Sequence, residues 1–501
     1  MKKRMIISLL LVAVMVLTTV PAHAEAMPTI EDKILESYRY DIQVDVSECH
    51  VTEAQLKSAH TELFEAGLLP WYASGRYEYE YDTQTYQVLN FSPICLDKEA
   101  YDRTAYELRV AEILDYVVQD GMTQGQICLA LYDALAVQYH YDENYTLNTG
   151  YDLLTGGTSM CNGYAEAYKE LLTRVGIPCE IVTSEEMDHT WNLVCLGGNW
   201  YHVDVTWADP VPDICGYVSH AYFLLTDEEI SSGDDPHYGW VTERTCTDES
   251  FVNAYWKSID SQICYSDNTT SYHIREKDWT NYITARDVKT GEETVLHTVE
   301  VEYVDIGAGR YGYSHGGLSL WNNRLWFSGV DTVYSMNPDG SDVVKEFVYD
   351  ASGNGKHIYG CRVANDTIYL TLRTHDDVYS AMEVPLEDSG YHKHSYTQEQ
   401  IVPTCEAGGV TVHTCNCGFR VETDHVPPVE HEYVVEHEKK ASFFSSGVCT
   451  RVCDNCGNAD VEILPQIVFG NWLKEKGHRR PLLVALLLGV VIVLSRLGKK
   501  K

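Results

Sequence analysis

Positive charge is scarce in this 501-residue chain: 37 Lys and Arg stand against 74 Asp and Glu, a formal net charge of −37. A surface of that sign repels phosphate backbones, so nucleic acid is excluded as a partner. The ten cysteines from Cys49 to Cys361 lack any regular spacing, and sequence alone does not pair them. The run Asn337-Pro338-Asp339-Gly340-Ser341-Asp342 lacks the later bidentate glutamate of an EF-hand loop. Its Pro-Asp-Gly reads as a hairpin turn instead.

Long apolar runs lie at the two ends. Lys2, Lys3 and Arg4 precede an apolar stretch from Met5 to Val20 and then Ala22-His23-Ala24. That is the pattern of a secretory signal peptide over residues 1–24, with the mature chain expected to start near Glu25. Pro481 to Leu494 is uninterrupted and apolar, and Arg480 and Arg496 can snorkel to lengthen it. A C-terminal transmembrane anchor is therefore expected over 480–497, with the folded part on the extracellular face of the cell membrane. LPQIV, just before it, lacks the Thr-Gly of a sortase signal, which disfavours wall attachment.

The stretch from Gly156 to Asp209 carries the chemistry. In GGTSMCNGYAEAYKELLTRVGIP, Ala165, Tyr168, Leu171, Leu172 and Val175 form an apolar stripe at helical spacing, Thr158 and Ser159 are candidate caps, and Gly176 with Pro178 ends the helix. Cys161 then lies in the first turn, where unpaired N–H groups and the helix dipole favour a reactive thiolate and offer an oxyanion hole. Trp191 to Leu196 and Trp200 to Trp207 read as strands joined at Gly197-Gly198-Asn199. With a two-residue loop, Asp204 pairs with Trp191 and His189 projects from the same face, close enough for an imidazole and a carboxylate to meet. In that geometry His189 deprotonates Cys161 and Asp204 orients His189.

GTSMCNGYAEAY, DHTWNLV and WYHVDVTW, in that order, resemble the three motifs of the transglutaminase-like superfamily in its exported bacterial branch. The resemblance covers about residues 25–235 and implies Cys161 as nucleophile, His189 as base and Asp204 as orienting acid. It departs at Thr190, where alanine is common, and at Ala208, where aspartate is frequent. It implies an α+β fold with a papain-like or transglutaminase-like core, in which the helix bearing the cysteine packs on an antiparallel sheet bearing the histidine and aspartate. The expected division is 25–125 for the N-terminal part of this region and 126–240 for the catalytic core. No cofactor is implied for catalysis. His202 is expected to be structural rather than a second base.

From about Phe251 to Leu386, three segments each read as a run of strands and tight turns: YWKSIDSQICYSDNTTSYHIRE, LSLWNNRLWFSGVDTVYSMNPDG and IYGCRVANDTIYLTLRTHDDVYSAMEV. They suggest an all-β, propeller-like domain over 250–390, open because three blades are too few for closure, or a small sandwich. Residues 391–465 hold two imperfect copies of one His/Cys unit, with His394, Cys405, Cys415 and Cys417 in the first and His431, Cys449, Cys453 and Cys456 in the second. They resemble small repeats of exported proteins in anaerobic Gram-positive bacteria. A structural zinc on Cys449, Cys453, Cys456 and a histidine, His431 or His437, and a set of disulfides stand as equal alternatives, since so small a module needs one or the other.

Together these features suggest an extracytoplasmic, membrane-anchored cysteine enzyme acting on protein or peptide amide bonds, cell-wall or surface proteins among them, with hydrolysis favoured over cross-linking. The competing expectation is a catalytically inert surface protein that keeps the fold for adhesion or cell-wall binding.

Overall fold

The computed structural model describes residues 28–466, except for 41, 66–68, 70–72, 96–100, 234, 279, 301–302, 306–309, 313–316, 354, 388–391, 430 and 443–444. The expected signal peptide and transmembrane anchor lie outside the described residues. Among these, no helix is long and apolar enough to cross a membrane. The chain divides into two compact units, one within 1–98 and 396–501 and the other spanning 99–395.

In the first unit, α1 (Ile30–Tyr40), β1 (Val44–Asp45), α2 (Glu53–Glu65), β2 (Ala73–Tyr81) and β3 (Val88–Cys95) enclose a small core of Ile34, Tyr38, Leu56, Val88 and Phe91. The sheet order is β1-β3-β2. The Tyr38 hydroxyl meets His60 Nε2 at 2.9 Å inside it, which satisfies two buried polar groups at once.

The second unit begins with α3 (Arg103–Val117) and α4 (Gln124–Gln138), followed by β4 (His140–Tyr141), β5 (Thr158–Ser159) and α5 (Cys161–Arg174). Thr123 and Gln126 close a capping box at the start of α4. This helix is not amphipathic in place: every residue from Cys128 to Val137 is buried. Its one charge, Asp133, is tolerated because His220 Nε2 lies at 2.8 Å from one carboxylate oxygen and the Ile263 N–H donates to the other at 2.6 Å.

Thr158 and Ser159 do not cap α5. They pair as β5 with His140 and Tyr141 in a short parallel ladder, and Met160 occupies the cap position without a side-chain hydrogen bond. The pairing consumes the residues that capping would have used. The expected apolar stripe is buried at Ala165, Tyr168, Leu171 and Leu172. The helix ends at Gly176, whose φ of +75° a side chain would oppose, with the Ile177 N–H returning to Leu172 O at 2.9 Å.

Beside α5 stands an antiparallel sheet in the order β6 (Cys179–Ser184), β7 (His189–Leu196), β8 (Asn199–Val203), β9 (Phe223–Leu225). Asn192 in β7 donates to Ala165 O of α5 at 2.9 Å, pinning helix to sheet. A four-residue helix, α6 (Asp227–Ile230), closes this part. The helix-on-sheet core is thus of the α+β kind expected.

The remainder of this unit is made of antiparallel meanders. β10 (Cys264–Tyr265), β11 (Thr270–Lys277), β12 (Thr280–Asp287) and β13 (Glu293–Glu300) form one sheet, and β14 (Tyr303–Asp305) pairs with β15 (Arg310–Gly312). β16 (Ser319–Trp321), β17 (Arg324–Ser328), β18 (Thr332–Met336) and β19 (Val344–Val348) form another, and β20 (His357–Ala364), β21 (Thr367–Arg373) and β22 (Tyr379–Pro385) a third. The second and third look-alike segments therefore each yield a three-stranded meander, whereas the first begins with a 3-10 turn at Tyr255–Ser258, where a strand is expected, and contributes β10 and β11. Among the described residues these remain separate sheets with no closed ring, so the expected open, propeller-like domain is seen as a series of meander sheets. Asn337 to Asp342 forms the β18–β19 turn, with the Gly340 N–H donating to Asn337 O at 2.9 Å.

The C-terminal part of the first unit holds two three-stranded sheets. They are β23 (Tyr396–Ile401), β24 (Gly409–Cys415) and β25 (Arg420–Val426), then β26 (Tyr433–Lys439), β27 (Gly447–Cys453) and β28 (Ala459–Leu464).

Candidate active site

The β7–β8 hairpin sets the geometry. Gly197 and Gly198 have φ of +60° and +92°, the left-handed pair that a two-residue hairpin loop demands. Register then runs from Leu196 opposite Asn199 to Asn192 opposite Val203. Asp204 falls one residue past the last formal pair, opposite Trp191, and its N–H turns to Tyr222 O at 3.0 Å. His189 opens β7 two residues from Trp191.

That placement brings His189 Nε2 to 2.6 Å from Asp204 Oδ2. Asp204 is fully buried, and its other oxygen, Oδ1, accepts from the Thr206 and Trp207 N–H groups at 3.0 and 3.3 Å. With Nε2 engaged, Nδ1 is the ring nitrogen left for a proton from Cys161, which lies near enough to contribute to the raised proton affinity of the ring. Cys161 is half-buried at the first residue of α5. The three residues singled out from sequence thus come together.

Burial opposes a charge on His189. The Asp204 carboxylate, its hydrogen bond and the Cys161 side chain outweigh that, and the ring pKa rises to about 10. Burial likewise opposes the Asp204 charge, but the two histidines around it hold its pKa below the ordinary carboxylate value. Cation and anion stabilise one another in a place that neither would occupy alone.

Sequence reasoning missed His237. Its ring is fully buried and its Nε2 lies 2.8 Å from the same Asp204 Oδ2 that holds His189. Nothing in DDPHYGW signals this, because the residue arrives 33 positions after Asp204 on a loop outside the hairpin. Aromatic rings wall the pair: Trp191 stacks on His189 at 5.7 Å between centroids, and Trp207 lies 5.7 Å from His189 and 4.4 Å from His237. Such a wall excludes water from the imidazole and carboxylate.

His202 has a different task. Its Nδ1 accepts from the Trp191 indole N–H at 3.0 Å, so Nε2 carries the hydrogen that faces Asp227 at 2.9 Å. Both nitrogens are occupied away from Cys161, as a structural histidine requires. Asp209, one residue after Ala208, accepts a 2.5 Å hydrogen bond from the Tyr164 hydroxyl of α5.

Of the residues considered for metal in the second copy, His431, Cys453 and Cys456 converge, and neither Cys449 nor His437 joins them. Cys405 of the first copy completes the group. Cys449 and Cys453 are both on β27, and four residues along a strand span about 13 Å, too far for two ligands of one ion.

Comparison with known proteins locates a match to the transglutaminase-like superfamily at residues 111–205. The chain is similar to the kyphoscoliosis peptidase of Homo sapiens, 28% identical over 93 residues, which are 15% of this chain and 14% of that protein. It is also similar to the kyphoscoliosis peptidase of Mus musculus, 24% identical over 139 residues, 23% of this chain and 21% of that protein. The matches thus span 14% and 21% of the lengths of these two proteins. Among solved structures, one described as a TGase shares 12% identity over 31% of this chain and 48% of its own, with a TM-score of 0.20.

Proposed function

From the premise that residues 111–205 form a transglutaminase-like superfamily domain, we propose that this protein is an extracytoplasmic, membrane-anchored cysteine enzyme that cleaves amide bonds in proteins or peptides. The observation that carries the reading is the 2.6 Å contact of His189 Nε2 with buried Asp204, with Cys161 near enough to help raise the proton affinity of the ring. The peptidase name of the two mammalian relatives favours hydrolysis over cross-linking.

The Cys161 sulfur, having given its proton to His189 Nδ1, attacks the carbonyl carbon. The oxyanion that forms is met by the N–H groups of Cys161 and Asn162, which precede the Gly163 and Tyr164 N–H groups already bonded to Met160 O. The C–N bond then breaks, the amine leaves with the proton from His189, and the acyl group remains on Cys161 as a thioester. Water attacks that thioester, His189 takes its proton, and the freed carboxylic acid departs as the sulfur regains its hydrogen. Asp204 stays a carboxylate throughout and holds the ring. A primary amine in place of water gives transamidation by the same steps.

Incubating the full chain with a glutamine-containing peptide library, with and without a primary amine, and reading the products by mass spectrometry tests the proposal. Chain cleavage or side-chain deamidation that disappears in Cys161→Ala is expected. Amine incorporation in preference to hydrolysis would replace hydrolase by transferase, and no turnover with either acceptor would favour an inert surface-binding protein.

A further inference from the structure

Cys405, His431, Cys453 and Cys456 place their ligand atoms within 4.8 Å of one another. Cys405 Sγ lies 3.7 Å from Cys453 Sγ, and His431 Nδ1 lies 3.3 Å from Cys456 Sγ. A zinc ion with Zn–S near 2.3 Å and Zn–N near 2.0 Å sets tetrahedral edges of about 3.8 Å between sulfurs and about 3.5 Å between sulfur and nitrogen. The geometry points to a structural Cys3His zinc site that joins the two His/Cys copies, its fourth ligand, Cys405, coming from the first copy.

Three thiols and one imidazole meet here, and that odd number argues against a disulfide. One S–S bond would consume two sulfurs and leave a thiol and an imidazole without purpose, whereas a tetrahedral ion uses all four. The Cys453-Asp454-Asn455-Cys456 turn is shaped like a metal knuckle. Gly457 N–H returns to Cys453 O at 2.8 Å and closes the turn, which holds the two cysteines of the knuckle on one side.

Strand register explains why the ligand is Cys405 rather than Cys449. Tyr396 pairs with Cys415 in the first copy and Tyr433 with Cys453 in the second, so Cys453 is the counterpart of Cys415. Counting back along each strand, Cys449 corresponds to Thr411, and the position of Cys405 is held by Phe443 in the second copy. The second copy therefore lacks this cysteine, and the first supplies it. The loop bearing Cys405 is delivered by Val429, whose N–H donates to Thr404 O at 3.0 Å two residues before His431. Neither three-stranded sheet has a core of a size that folds unaided, and one ion held by both copies gives them a shared one.

The test uses the full chain produced with zinc, exchanged into chelator-free buffer, with bound metal read by elemental analysis and with cobalt as the spectroscopic probe. Cys405→Ser is expected to lose one equivalent of zinc relative to the wild type and to weaken the thiolate-to-cobalt charge-transfer band, whereas Cys449→Ser retains both. Because Cys405→Ser risks unfolding the module, mapping of the wild-type chain supplies an independent readout. Cys405, Cys453 and Cys456 should resist alkylation with zinc bound and become reactive together when a chelator is added. Unchanged zinc in Cys405→Ser, or a peptide map showing Cys405 disulfide-bonded to Cys453 or Cys456, would overturn the assignment.

Discussion

His237 and His189 share one acceptor atom: both place Nε2 on Asp204 Oδ2, at 2.8 and 2.6 Å. A carboxylate oxygen only accepts, so each ring directs an N–H at it, and His189 keeps Nδ1 clear of the carboxylate. With Thr206 and Trp207 on the other oxygen, Asp204 has its full complement of donors and cannot rotate without breaking several bonds. His237 is on this reading a positioning residue, since it touches the orienting acid and not the sulfur.

Replacing it should therefore separate orientation from nucleophilicity. His237→Ala is expected to cost about 1–3 kcal/mol of stability through the vacated buried donor. Turnover should fall more than KM changes, and the alkaline limb of the pH profile should move. Melting curves and steady-state kinetics check this; a variant with unaltered pH dependence would reduce His237 to packing.

The pH dependence follows from the charged pair. The His189 pKa is raised to about 10, so the stability that its protonation contributes is fully present below the ordinary imidazole value and is lost as pH rises through about 10. Asp204 is lowered, so its contribution is present above the ordinary carboxylate value and is lost as pH falls through the depressed one. Activity should accordingly persist into alkaline solution, with its upper limb near pH 10. Asp204→Asn should bring that limb down toward the ordinary histidine range and lower kcat. NMR titration of the His189 ring, or a pH–rate profile, gives the comparison, and a wild-type limb near pH 6.5 would contradict it.

Gly163, in the first turn of α5, has no room for a side chain. A Cβ there would lie 2.1 Å from Ser159 Oγ and 2.6 Å from Thr149 O. The second of these is backbone and cannot swing aside, so Gly163→Ala should displace the start of the helix at a cost of about 1–3 kcal/mol. Because Cys161 is two residues away, thiol reactivity should drop along with the melting temperature. Gly157→Ala, at a left-handed position with open space around it, separates backbone strain from this crowding.

How far these features are legible in sequence depends on how local they are. Cys161, His189 and Asp204 stand in motifs whose elements are fixed by neighbours, and the Gly197-Gly198 loop makes register a matter of counting. His237 reaches the site through a loop of no periodicity, so only tertiary structure reveals it. Cys449 was a candidate ligand because it is near Cys453 in sequence. Along an extended strand that nearness is a separation of about 13 Å, and Cys405, 48 positions from Cys453, is the one that meets it. The meanders of 250–390 followed from turn signals such as Asn337 to Gly340. Whether such sheets join into a ring is decided by contacts among strands far apart in sequence, which leave no local mark.

Selective labelling of the thiol is the remaining prediction, and burial makes it sharp. Cys128, Cys246 and Cys264 are pushed up to about 12 mainly by desolvation, and Cys179 and Cys361 are raised as well for the same reason. Such thiols are slow nucleophiles near neutral pH, because the thiolate is the reacting species. Cys161 is half-buried and lies beside an imidazole whose charged form is favoured. Iodoacetamide at neutral pH should thus modify Cys161 before the other cysteines of residues 99–395, and the rate at that residue should fall at least tenfold in His189→Ala, a difference of about 1.4 kcal/mol in activation free energy. Peptide mapping against time measures both. Equal rates in the wild type and the variant would mean that the imidazole does not activate the sulfur, and the catalytic reading of the site would go with it.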